Sequence, residues 1–76
     1  MNISQLKHEL DKLNIPKNAY TLTGGLPNES FCLGLNYDKW EVYYSERGNK
    51  TSLKVFIDEN LACEYFLNWM KSVFKK

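Results

Sequence analysis

The sequence predicts an α+β fold, an antiparallel sheet of three or four strands between an N-terminal and a C-terminal helix, in the order α-β-β-β-β-α. Three observations lead there. Phe31, Leu33, Leu35 and Tyr37 alternate with Cys32, Gly34 and Asn36, and Trp40, Val42 and Tyr44 alternate with Glu41, Tyr43 and Ser45, which is the period of a strand. Apolar residues near both ends recur instead at steps of three and four, the period of a helix face. Turn-forming residues cluster at Gly24-Gly25-Leu26-Pro27-Asn28 and at Gly48-Asn49.

The first helix is capped by Asn2 or Ser4 and carries Ile3, Leu6, Leu10 and Leu13 as a narrow apolar stripe, with Lys7, Glu9, Asp11 and Lys12 facing water. Pro16 stops it and biases Ile15 towards extended backbone. Ala19–Leu22 reads as a short strand. If Asp38-Lys39 is a two-residue hairpin turn, Tyr37 pairs with Trp40, Leu35 with Val42 and Leu33 with Tyr44, so one face of the hairpin is continuous core. The weak point is the turn, which lacks the glycine that a type I′ geometry favours. Leu53, Val55 and Ile57 form the core face of the last strand. Asp58 caps the final helix, Glu59 sits in its first turn, and Ala62, Phe66, Trp69, Met70 and Val73 form its stripe, widened by Leu61 and Tyr65.

The opposite face of the sheet then carries Cys32, Gly34, Asn36, Glu41, Tyr43, Ser45, Lys54 and Phe56. Most are small or polar, so this face is expected to be wet. Tyr43 and Phe56 are the exceptions: either an aromatic pair packed over Gly34 or beneath the first helix, or a contact platform for a partner.

Residues 1–76 form one domain, with no repeat and no linker. A chain this short buries only roughly 60% of its unfolded surface, and an enzyme-sized pocket would consume much of its core. A net charge of +1 points to neither nucleic acid nor an anionic membrane. Lys71, Lys75 and Lys76 follow Asp58, Glu59 and Glu64 in the order that a helix dipole prefers. Cys32 and Cys63 show no metal-ligand spacing, and with no leader segment and no apolar run of membrane length the expectation is a cytoplasmic protein with free, partly buried thiols. A disulfide from strand to helix is the alternative.

Catalytic groupings are hard to assemble. His8 is the single histidine and stands between Lys7 and Glu9 on a polar helix face. Asp38, Glu41 and Glu46 lie along one hairpin, where solvated carboxylates are expected rather than a glycosidase-like pair. Gly24-Gly25 lacks the lysine and spacing of a phosphate loop. The expectation is no enzyme, no cofactor and no metal. The element order does look like a double-stranded-RNA-binding domain, which would make the chain a nucleic-acid-binding or ribosome-associated adaptor. Those domains place lysines at the start of the last helix, where this chain has Asp58-Glu59-Asn60.

Residues from about 20 to 70 resemble small immunity proteins of bacterial polymorphic and contact-dependent growth inhibition toxin systems. The likeness is carried by Gly24-Gly25-Leu26-Pro27-Asn28-Glu29, by Trp40-Glu41-Val42-Tyr43-Tyr44-Ser45-Glu46-Arg47-Gly48, by Phe56, and by the helix around Glu59, Ala62-Cys63 and Tyr65 to Leu67. The resemblance implies a cytoplasmic protein that binds a cognate toxin domain, often a nuclease, and blocks its active site, with no direct contact to nucleic acid and none to membrane. It directs attention to Glu29, Asp38, Glu41, Tyr43, Glu46 and Arg47 as toxin-binding residues on the loops and the wet face, with opposed charge speeding encounter. Arg47 has a structural alternative, pairing with Glu46 or a neighbouring strand.

Overall fold

The computed structural model describes residues 1–75. Helix α1 (Ile3–Lys12) starts in a capping box: the Asn2 side chain accepts from the Gln5 amide at 2.9 Å and the Asn2 amide donates to Gln5 Oε1 at 2.8 Å. Leu6 and Leu10 are fully buried along its stripe. Asn14 closes the helix at φ +57, a left-handed conformation that asparagine tolerates. Ile15 then drops into the core, and one turn of 3₁₀ helix over Lys17–Ala19 leads into the sheet.

Strands β1 (Tyr20–Thr21), β2 (Ser30–Asn36), β3 (Lys39–Glu46) and β4 (Asn49–Phe56) lie in sequence order across one sheet. Helix α2 (Glu59–Val73) follows, capped by Asp58, whose carboxylate accepts from the Asn60 amide at 3.0 Å. The order is the expected one and the class is α+β, but the sheet is mixed. β2, β3 and β4 are antiparallel, whereas β1 runs parallel to β2, with Tyr20 opposite Phe31 and Thr21 opposite Cys32. The chain between them crosses over the sheet rather than turning tightly.

Both helices occupy one face. Ile3 N donates to Glu59 Oε2 at 2.9 Å and the Met1 ammonium donates to Asn60 Oδ1, so the two helix starts are adjacent. Lys12 and Leu13 border the same groove as Met70 and Phe74, so the ends are adjacent too, and the helices run side by side in one direction. Leu6, Leu10, Ile15, Leu33, Val42, Ala62, Cys63, Phe66, Leu67 and Met70 form the core between helices and sheet. The buried arc of α2 includes Cys63 and Leu67, because α2 is covered by α1 as well as by the sheet. Leu61, Tyr65 and Val73, placed on its stripe by sequence, are exposed.

Two registers differ from expectation. The β2–β3 turn is Tyr37-Asp38, not Asp38-Lys39, and the pairs are Leu35↔Trp40, Leu33↔Val42 and Phe31↔Tyr44. A slip of two residues keeps every side chain on its face, so the facing is preserved while the partners change. It brings the Phe31 and Tyr44 rings to 4.8 Å and leaves Tyr37 in the turn at φ +59, 95% exposed and outside the core.

The second difference inverts a face. Tyr44 pairs with Thr51 but Val42 pairs with Lys54, so Ser52 and Leu53 together oppose Tyr43. This β-bulge, with Ser52 at φ +56, adds one residue to β4. Beyond it Phe56 faces Trp40 and packs under α2, its ring 5.4 Å from that of Tyr65. Leu53, Val55 and Ile57, expected in the core, are 43%, 53% and 79% exposed.

Candidate functional site

Over β2 and β3, the face of the sheet away from the helices is largely covered, not wet as its residue types suggested. It is roofed by the loop from Leu22 to Asn28, and the roof depends on two glycines. The Gly24 amide donates to the Leu33 carbonyl at 3.1 Å, which lays the loop directly on β2 at Gly34. A Cβ on Gly34 would stand 2.5 Å from Gly24 Cα, so only glycine fits beneath this crossing. Gly24 itself sits at φ +72.

Tyr43 holds the loop down from below, its hydroxyl donating to the Gly25 carbonyl. Cys32, Tyr43 and Ser45 are buried under the roof, and burial, followed by the nearby Cys32 and Glu41, pushes the Tyr43 phenol up to about 12. Burial likewise raises the Cys32 thiol, against the opposing pull of hydrogen bonds with Tyr43 and Ser45. Next to Tyr43, Glu41 Oε1 accepts from Lys50 Nζ at 2.6 Å and Oε2 accepts from Asn36 Nδ2 at 3.1 Å. These bonds, Lys50 first, hold the Glu41 carboxyl below its usual range. The Lys50 ammonium also lies 4.9 Å from the centre of the Tyr43 ring.

Two of the six residues singled out from sequence, Glu41 and Tyr43, are therefore buried and already engaged within the chain. Tyr43 holds the roof in place, and Glu41 is bonded within the sheet to Lys50 and Asn36. Phe56, grouped with Tyr43 by sequence, lies on the helix side. Cys32 and Cys63 are both free and buried on opposite sides of the sheet, so no strand-to-helix disulfide joins them.

The other four are exposed, but at two different ends. Ser30 pairs with Ser45, so Glu29, just before β2, and Glu46, the last residue of β3, lie at the same end of the sheet. Each is set by a tight turn: Glu29 at φ +49, and Arg47-Gly48 at φ +51 and +79, the two positive values of a type I′ hairpin turn. Among the described residues neither carboxylate is ion-paired, and the Arg47 guanidinium makes no ion pair with Glu46. Asp38 caps the opposite end beside Lys39, roughly 20 Å away along β2 at about 3.3 Å per residue.

His8 is exposed on α1, in an open groove with Met1, Ser4, Gln5 and Glu9. Among the described residues no three His, Cys, Asp or Glu side chains are placed to hold a metal ion, and no helix is long and apolar enough to cross a membrane. Lys71 and Lys75 border a cavity of about 330 Å³ with Lys12, Leu13, Ile15, Met70 and Phe74; Lys76 lies outside the described residues. At the start of α2 the acidic side chains are retained by structure: Glu59 accepts from Ile3 N, and Glu64 Oε2 lies 4.0 Å from the Met1 ammonium. A phosphate backbone would meet carboxylates there.

Compared with protein-family models, with curated proteins and with solved structures, the chain matches none.

Proposed function

We propose that this chain is an immunity protein, which binds a cognate bacterial toxin domain, most simply a nuclease, and neutralises it by covering its active site. The observation that carries the reading is the pair of exposed, unpaired carboxylates Glu29 and Glu46 at the same end of the sheet, with Arg47 next to Glu46, each displayed by a tight turn. A nuclease site gathers cationic groups to hold phosphate. Two carboxylates displayed at one end of the sheet present negative charge on a backbone that loses little entropy on binding. The resemblance in the Gly24–Glu29 loop and the Trp40–Gly48 strand supports the same surface. Glu41 and Tyr43 are buried within the sheet, and Asp38 lies at its other end.

The test pairs the protein with the product of a neighbouring toxin gene. Reversal of both charges, Glu29→Lys with Glu46→Lys, is expected to slow association by about tenfold or more at low salt, with a smaller effect at high salt. Both residues are exposed, so the thermal transition should barely move. Full protection of toxin-expressing cells by the double variant would remove these residues from the interface. Binding of duplex RNA with steep salt dependence, in place of a protein, would overturn the immunity reading in favour of the adaptor.

A further inference from the structure

β4 is an edge strand along its whole length. β3 pairs with one side of it, and among the described residues nothing pairs with the other. Because the backbone groups of successive strand residues point to alternate sides, every second residue of β4 offers its N–H and C=O to open solvent. The opposite edge, β1, is only two residues long.

The bulge divides β4 into two parts of different character. Before it run Asn49, Lys50 and Thr51, all polar. Leu53 belongs to the bulge, Val55 lies in the regular stretch Lys54–Phe56, and Ile57 directly follows the strand; all three are exposed, with Lys54 and Phe56 between them. The strand ends at Phe56, and Ile57 is the last residue before Asp58 caps α2. Val55 is the midpoint of the regular stretch Lys54–Phe56. An isolated exposed leucine is ordinary, but three branched apolar side chains at and just beyond a free strand edge form a pairing template.

The segment is complementary to itself. Two antiparallel copies related by a two-fold axis at Val55 place Val55 against Val55 and Leu53 against Ile57 of the second copy, twice. Lys54 then stands opposite Phe56, an ammonium beside a ring rather than beside another cation. Moving the axis to Lys54 would set two lysines face to face. Moving it to Phe56 would require Asp58 and Glu59, already committed to the start of α2, to act as strand.

From this we infer that the Leu53–Ile57 edge is a self-association surface, through which two copies join antiparallel into one continuous eight-stranded sheet. The axis lies at the far end of β4 from the Glu46-Arg47-Gly48-Asn49 hairpin, so both Glu29–Glu46 ends stay free at opposite ends of the dimer.

Sedimentation velocity of the full chain over a concentration series is expected to show a monomer–dimer equilibrium. Val55→Lys, which puts two ammonium groups on the axis of a half-exposed edge position, should weaken it by at least about tenfold. The register is read by oxidative cross-linking. Val55→Cys should form a disulfide-linked dimer and Leu53→Cys should not, whereas Leu53→Cys with Ile57→Cys should. Cys32 and Cys63 are buried and do not compete. A chain that stays monomeric throughout, a dimer indifferent to Val55→Lys, or cross-linking no faster for Val55→Cys than for Leu53→Cys would each overturn the inference.

Discussion

Glu41 has one oxygen on Lys50 and the other on Asn36, and it lies beside the phenol that pins the roofing loop. In sequence it is an acidic residue between Trp40 and Val42, and its position on the outward parity of β3 was legible. That the outward face would be covered was not, because the cover comes from residues 22–28, which carry no periodic signal. The bonds that hold the carboxyl below its ordinary value of 4.5 make the folded state favour its ionised form. This contribution is complete above the unfolded value and is lost as pH falls through the depressed folded value, so acidification below about 4.5 should erode stability. Lys50→Met is expected to cost roughly 1–3 kcal/mol at neutral pH, the range for a hydrogen bond to a charged group. It should also flatten that acid dependence, and urea unfolding across a pH series would register both. An unchanged acid limb in the variant would show that Glu41 draws nothing from Lys50.

At the scale of elements, the Gly24–Gly34 crossing joins a loop to a strand by backbone alone. Gly24 and Gly25 were legible as turn residues, and Gly34 as a strand glycine. Their mutual approach was not, because glycine leaves no side chain whose pattern could announce a partner. Gly34→Ala forces its methyl into Gly24 Cα, and overpacking of this kind costs roughly 1–3 kcal/mol. The expected outcome is a lower urea midpoint together with faster amide exchange across residues 22–28. If exchange there stayed slow, the loop would be held by other contacts. The bulge in β4 is the second case. Alternation assigned Leu53, Val55 and Ile57 inward, and one extra residue at Ser52 reversed that assignment for the rest of the strand. Serine is not a residue type that marks left-handed backbone, so the reversal carried no local signature. By contrast, the Asp58 cap was readable and the first cap was narrowed to Asn2 or Ser4, because a cap is a local hydrogen bond between neighbours in sequence.

For the molecule as a whole, stability depends on a few rings. Phe66 is fully buried in α2, with the Trp69 ring edge-on at 6.3 Å and the Tyr20 ring at 6.4 Å. Phe66→Ala should cost about 3–5 kcal/mol, a large share of the roughly 5–15 kcal/mol available to a small domain. Thermal unfolding followed by circular dichroism would show a midpoint lowered by many degrees, or loss of the transition; a shift of only a degree or two would place the core elsewhere. The sequence by itself determined the class, the order of helices and strands, the Asp58 cap, and which faces of β2 and β3 are apolar. Each of these follows from periodicity or from bonds between near neighbours. The tertiary structure alone decided that β1 runs parallel to β2, that a loop covers Tyr43, that Glu29 and Glu46 share one end of the sheet while Asp38 stands at the other, and that Leu53, Val55 and Ile57 are exposed at and just beyond an open edge. These outcomes turn on strand register and on contacts between distant segments, and a single inserted residue or a pair of facing glycines can reverse them without changing any local pattern.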